Sequence, residues 1–223
     1  MKHELDIHQE DPWRLFLRWY SNASGKGVTG FSDRALYPFR LLMRKAYPPF
    51  QLHGGDAMVL STASRDGQPS ARVVLYKGIW EEGVLFYTNY NSRKAKELII
   101  NPRAALVFHW ALPERQVRFE GSIEKVSNEI SDRYWASRPR GSQIGGWASD
   151  QSVAIADREE LLLKVKVIEE KFRGQPVPRP PHWGGFVLKA SSIEFWEACL
   201  ARLHRRRKYE RRDGAWESSL LAP

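Results

Sequence analysis

The spacing of apolar positions changes character along this chain. Over residues 11–23, Trp13, Leu15, Phe16 and Trp19 fall on roughly one helical face behind Asp11 and Pro12, an N-cap residue followed by a first-turn proline. This predicts an amphipathic helix. Residues 24–56 lose the pattern, because Gly, Pro and aromatic residues interrupt the basic stretch FRLLMRKAYPPF; a short helix flanked by loops is expected there. From Ala57 onward, runs of β-formers alternate with turn signals: AMVLSTAS, PSARVVLYKG, VLFYTN, AALVFHW, RQVRFEGSIEKV, GFVLKA, SIEFWEA and a segment from Arg202 to Tyr209. Asp66-Gly67 between the first two is a strong hairpin signal. Closely spaced antiparallel strands of this number predict a small barrel.

Three helical segments interrupt the strands. Ser92 opens SRKAKELIIN, Ser127 opens SNEISDRYWASR, and Asp157 opens DREELLLKVKVIEEKF, with Pro139 ending the middle one. The Pro-rich GQPVPRPPHWGG reads as an extended connector within one unit. The expected organisation is an N-terminal helical and irregular segment, 1–56, packed on a barrel domain, 57–223.

Composition sharpens this only in part. A chain of 223 residues with 27% charged residues and a mean hydropathy of -0.52 has the profile of a water-soluble globular protein, and no stretch approaches a membrane span. The N-terminus MKHELDIHQEDPW has neither a secretory nor an Arg-rich transit pattern, and the single Cys199 cannot form an internal disulfide, so a cytoplasmic location is expected. The net charge of +9 is mostly local: residues 202–212 hold seven Lys/Arg against one Glu. Such confinement argues against nucleic acid as a partner and leaves the segment as an anion site or a solvated edge. No Walker-type loop, GxGxxG or HExxH is present, and no metal site is expected from six scattered histidines.

Four polar clusters border the predicted elements. Arg72 to Lys77 is a strand with cations at both ends, on which Arg72, Val74 and Tyr76 share one face and Val73, Leu75 and Lys77 the other. Tyr87 to Lys94 runs from a strand end into a helix start bearing Arg93 and Lys94, the arrangement of a phosphate cradle. Tyr134 and Arg138, four apart, project together near Ser142 and suit a dianionic phosphate ester. Strand alternation would place Arg202, His204 and Arg206 on one face, with Arg205 and Arg207 on the other. Taken singly, each cluster reads at least as well as a solvated surface, and the Tyr134 and Arg138 pair reads better as one.

Their order is more specific than their chemistry. The phrases RVVLYKG, FYTNYNSRKAKEL, RQVRFEG, SRPRGSQIGGWASDQS, VPRPPHWGG, IEFW and RLH follow one another as in pyridoxamine 5′-phosphate oxidases, which the chain resembles from about Ala57 to its end, with a weaker match at DPWRLFLRW. The resemblance implies an α+β fold, the FMN-binding split β-barrel with flanking helices, assembled as a homodimer with flavin at the subunit interface. It implies FMN held by Arg72, Val73, Val74, Leu75, Tyr76, Lys77, Tyr87, Thr88, Arg93, Lys94, Gln116, Gln151, Ser152, Trp196 and Arg206, with Arg72, Arg93 and Lys94 on its phosphate. Lys77, Tyr134, Arg138 and Ser142 would take the substrate phosphate, and Arg202 and His204 would sit over the pyridine ring as the catalytic pair. The implied reaction converts pyridoxamine or pyridoxine 5′-phosphate to pyridoxal 5′-phosphate by hydride transfer from C4′ to flavin N5, with O2 as acceptor and H2O2 as product.

The chain departs from the family pattern at four points. Glu197-Ala198 follows EFW where Gln-Gly is usual, Arg205 follows RLH where Asp is usual, and Leu220 stands in LLAP where Arg is usual. The substrate-covering N-terminal segment of the family has no clear counterpart, and Arg34 and Tyr37 are the candidates to replace it. The alternatives are a split-barrel flavin oxidase acting on another aromatic substrate, as in phenazine biosynthesis, and a non-catalytic carrier of FMN or pyridoxal phosphate.

Overall fold

A computed structural model describes Leu5, residues 10–24 and residues 55–223. The short helix expected within 24–56, together with Arg34 and Tyr37, lies outside the described residues.

Helix α1, Pro12–Ser24, starts where Asp11 Oδ1 accepts from the amides of Trp13 and Arg14, both at 3.0 Å. Its buried face, including Trp13, Leu15, Phe16 and Trp19, belongs to the same core as the sheet. Phe16 packs edge-on against Phe119 at 5.0 Å and Tyr76 at 5.7 Å, geometry that aromatic quadrupoles favour.

The strands are β1 (Ala57–Ala63), β2 (Pro69–Leu75), β3 (Ile79–Trp80), β4 (Gly83–Asn89), β5 (Arg103–Trp110), β6 (Arg115–Lys125), β7 (Trp183–Glu197), β8 (Arg205–Arg212) and β9 (Ala215–Leu220). They form one antiparallel sheet in the order β2-β1-β5-β6-β7-β4-β3, with β8 on β7 and β9 on β8. The end of β2 returns to β4 through Lys77 N to Leu85 O and Leu85 N to Gly78 O, both 2.9 Å, and this closes the sheet on itself. Among the described residues, four further helices are α2 (Arg93–Ile100), α3 (Asn128–Ser137), α4 (Arg140–Ala148) and α5 (Arg158–Lys171). Trp135, Ile144, Phe172, Val177 and Trp183 make a second, smaller core beneath α3 to α5.

Three expectations need correction. GFVLKA and SIEFWEA are one strand, β7, whose first half pairs with β4 and whose second half pairs with β8. A register shift at Glu120/Gly121 of β6 bends the pair without breaking it, and a Cβ on Gly121 would lie 2.0 Å from Lys189 O. The segment after Pro139 is helical, because Pro139 is the N-cap of α4 as well as the stop for α3. The last strand group begins at Arg205, not Arg202: Leu200–Arg202 is a 3-10 turn in which Ala201 (φ 55°) and Arg202 (φ 60°) are left-handed.

Candidate active site

A cleft of about 490 Å³ opens between the end of β2, the end of β4, the start of α2 and helices α3 and α4. Val73, Val74, Leu75 and Lys77 line it from β2 and the residues beyond, Val74 also packing against the core, while Tyr76 is buried within that core. The Tyr76 side chain, expected among the cofactor-binding residues, does not line the cleft. Its ring sits between Tyr20 (4.8 Å) and Phe108 (5.6 Å), and burial, then Tyr20 and Asp56, drives its phenol pKa well above the usual value.

The β4–α2 junction is built by local polar bonds. Asn89 Oδ1 accepts from Asn91 N at 2.8 Å, and the Ser92 hydroxyl donates to Asn89 O at 2.7 Å. Ser92 thus spends its side chain on the turn and not on capping α2. The first α2 amide, Arg93 N, donates instead to Ser152 Oγ at 3.2 Å. Lys94 Nζ donates to Gln151 Oε1 at 2.9 Å and to Thr88 Oγ1 at 3.3 Å, so Thr88, Lys94, Gln151 and Ser152 meet at one helix start. Burial, then the nearby Arg72 charge, lowers the Lys94 pKa.

The other two cations of that cradle are held by a residue the sequence reading missed. Glu97, nearly buried, accepts from Ser70 Oγ at 2.7 Å, Thr62 Oγ1 at 2.5 Å, Arg93 Nε at 2.8 Å and Arg72 Nη2 at 3.4 Å. Burial pushes its carboxyl up, but the Thr62, Ser70 and Arg93 hydrogen bonds outweigh that and bring the pKa down to about 2. Of Arg72, Arg93 and Lys94, only Lys94 lines the cleft. The signal was available, since Arg93 and Glu97 are four apart on one helix.

The opposite wall is aromatic. Tyr87 stacks on Tyr134 at 4.0 Å and on Trp183 at 5.4 Å, with interplanar angles of 11° and 6°. A Cβ on Gly185 would lie 2.8 Å from the Tyr87 ring, so only glycine lets that ring lie flat there. Burial, then the Tyr134 and Tyr90 phenols, raises the Tyr87 pKa to about 12. The Arg138 guanidinium rests over Trp135 (4.9 Å) and Trp183 (4.7 Å). Its Nη1 is buried with no hydrogen-bond partner among the described residues, and burial lowers its pKa. Lys77 and Ser142 line the same space. Trp183, absent from the sequence-derived residues, lay within the phrase VPRPPHWGG.

The remaining site residues form a second group. Gln116, Trp196 and Arg206 are successive cross-strand partners on β6, β7 and β8. The His204 ring lies 4.7 Å from Trp196, and Arg206 Nε donates to Glu194 Oε1 at 2.9 Å. Arg202 does not share a strand face with His204 and Arg206, because the left-handed turn precedes the strand. Arg207 is not an exposed counterpart of Arg205 either. It is fully buried, donating from Nε to Leu5 O at 2.5 Å and from Nη1 to Ser218 Oγ at 2.8 Å. None of these residues lines the cleft. Trp183 and Trp196 sit near opposite ends of β7, on the order of 40 Å apart along the strand at roughly 3.3 Å per residue.

Residues 45–172 match the family model described as pyridoxamine 5′-phosphate oxidase, and residues 183–223 match the pyridoxine 5′-phosphate oxidase C-terminal dimerisation region. A pyridoxine/pyridoxamine 5′-phosphate oxidase of Rubrobacter xylanophilus is 46% identical over 213 residues, covering 96% of this chain and 87% of that relative. One from Acaryochloris marina is 52% identical over 168 residues, covering 75% and 77%. Among solved structures, PhzG from Burkholderia lata in complex with tetrahydrophenazine-1-carboxylic acid is 28% identical with a TM-score of 0.80, covering 100% of this chain and 98% of its own. A pyridoxamine 5′-phosphate oxidase-related, FMN binding protein from Nostoc punctiforme, 17% identical with a TM-score of 0.68 over 96% of this chain and 100% of its own, shares the fold.

Proposed function

The chain belongs to the pyridoxamine 5′-phosphate oxidase family, and from that premise we propose that it is an FMN-dependent oxidase converting pyridoxamine or pyridoxine 5′-phosphate to pyridoxal 5′-phosphate. The observation that carries the substrate class is Arg138. A buried guanidinium nitrogen without a partner, in a cleft shared with Lys77, Tyr134 and Ser142, is a costly arrangement unless an anion completes it. A phosphate monoester supplies the missing acceptors.

The residues present also fit FMN. Lys94, Thr88, Gln151 and Ser152 gather donors at the start of α2, where a terminal phosphate is favoured, and Val73 and Leu75 give an apolar wall for a flat ring. FMN bound there would supply the acceptor for the hydride leaving substrate C4′. The protein's own contribution is alignment. Lys77, Tyr134, Arg138 and Ser142 hold the substrate phosphate, Arg202 orients the pyridine ring, and His204 donates a hydrogen bond that favours the reactive form. With dioxygen as terminal acceptor, amine, O2 and water give aldehyde, ammonia and hydrogen peroxide.

In this reading Arg202 and His204 come from a second copy, since the β7–β8 turn lies far along β7 from the cleft. Two features support a homodimer. Residues 183–223 match a dimerisation region, and the outer sheet face leaves Val59 at 37% and Val73 at 63% exposed. Anaerobic addition of pyridoxamine 5′-phosphate to the FMN-loaded protein is the test, with bleaching of the flavin absorbance expected. Bleaching by a tetrahydrophenazine carboxylate alone would move the reading to phenazine-type chemistry, and no bleaching by any of these would leave a carrier.

A further inference from the structure

Among the described residues, the turn between β7 and β8 is closed by charges that the proposed reaction has not yet used. Glu197 ends β7 and Arg205 begins β8, and the two are direct cross-strand partners, the last rung before the turn. The Glu197 carboxylate sits between two arginines, with Arg115 Nη2 of β6 at 2.7 Å and Arg205 Nη1 at 3.6 Å. Arg115 is itself fixed, its guanidinium 4.3 Å over the Trp19 ring of α1. One level further from the turn, Glu194 receives Arg118 and Arg206 at 2.9 Å each, so the motif of a β7 carboxylate between β6 and β8 arginines recurs.

Inside the turn, Ala201 and Arg202 hold two consecutive left-handed conformations, which residues with a Cβ adopt only where their surroundings enforce it. The enforcing bonds are few. Cys199 N donates to His204 Nδ1 at 3.3 Å, and Arg205 Nη1 approaches Cys199 Sγ at 3.7 Å. Leu200 is 94% exposed and Leu203 69%, so packing within the chain does little to fix the loop.

We propose that Glu197 and Arg205 are a positioning pair: their ion pair, anchored by Arg115, closes the β7–β8 turn and so fixes Arg202 and the tautomer of His204. Because a backbone amide donates to Nδ1, neutral His204 carries its proton on Nε2, the nitrogen left to donate to a substrate. The pair also links two departures from the family pattern. An Arg in place of the usual Asp after RLH is matched by a Glu in place of the usual Gln after EFW, so the charge reversal at the turn is answered across the ladder. This inference rests on the proposed oxidase reading for its kinetic consequence but not for its geometry.

The experiment uses the FMN-loaded protein and four forms: wild type, R205E, R205K and the double variant E197Q/R205E. R205E places a second carboxylate against Glu197 and should slow anaerobic flavin bleaching by pyridoxamine 5′-phosphate roughly tenfold or more, with FMN affinity unchanged and Tm slightly lowered by the opposed like charges. R205K, which keeps the ion pair, should stay near wild type, and E197Q/R205E, which removes the repulsion but restores no ion pair across the rung, should stay slow. In ¹⁵N-histidine NMR, wild-type His204 should show an unprotonated Nδ1 and a protonated Nε2, and R205E a tautomer mixture. A wild-type Nδ1–H tautomer, or an R205E variant matching wild type in both readouts, overturns the proposal. If wild type is not bleached at all, the oxidase reading fails, and the histidine signature by itself decides the positioning pair.

Discussion

The cleft carries most of the site residues and the β7–β8 turn only a few, and the two are built in opposite ways. The cleft is assembled within one chain: three near-parallel rings form a wall, Lys94 is tied to Thr88 and Gln151, and Glu97 holds Arg72 and Arg93 from behind. The turn has a charged ladder beneath it and almost nothing above, with Leu200 and Leu203 facing outward. A preorganised cradle and an uncovered turn fit the proposed site shared between two copies. In that proposal the binding groups are set in advance, and Arg202 and His204 arrive with the partner.

The sharpest way to break this comparison is to separate the copies. Val59 lies between Val73 and Val107 on the outer sheet face. Val59→Asp would bury an unpaired charge in the interface and should weaken the dimer by on the order of 3–5 kcal/mol. FMN retention should fall with it, as read by sedimentation velocity and flavin fluorescence. A stable flavin-loaded monomer would show that the cleft is sufficient alone.

Next in size is the turn itself. Arg202→Ala and His204→Ala should each lower kcat/KM for pyridoxamine 5′-phosphate on the order of a hundredfold while FMN stays bound, since displacing a reactive carbon by about an ångström has that effect. Flavin loss in either variant would place them in the cofactor cradle instead. Arg138→Ala should be milder and different in kind, raising KM about ten- to hundredfold with FMN retained, the loss of one charge-assisted phosphate contact. An unchanged KM would make the Trp135–Arg138–Trp183 stack a purely structural feature.

The smallest effect expected is on acid stability. The Glu97 carboxyl titrates at about 2 in the folded protein against an ordinary 4.5. Because the folded value is the lower one, the carboxylate stabilises the fold fully above the ordinary range, and that contribution disappears as the pH falls through the folded value near 2. Glu97→Gln should lower stability at neutral pH, and the difference from wild type should shrink as the pH approaches 2 in urea denaturation. A difference independent of pH would mean that Glu97 acts by packing rather than by charge.

Much of this molecule was legible in the sequence because its signals are local. Asp11 and Pro12 mark the start of α1, Asp157 marks α5, and alternation groups Val73, Leu75 and Lys77, all three of which line the cleft, from spacings of two to four residues. The ordered phrases pointed to the family for the same reason, as each is a short segment around one local structure. What tertiary structure alone decided depends on register between distant strands. Ala190 to Ser192 reads as a break until β6 and β8 pair across it and keep β7 continuous. Arg207 reads as one more surface cation until Leu5, 202 residues away in the chain, covers it. Glu197 and Arg205 read as two unrelated departures until the ladder sets them opposite each other. Cross-strand pairing and burial are non-local quantities, and a charge in a sequence carries no mark of the partner that folding will bring to it.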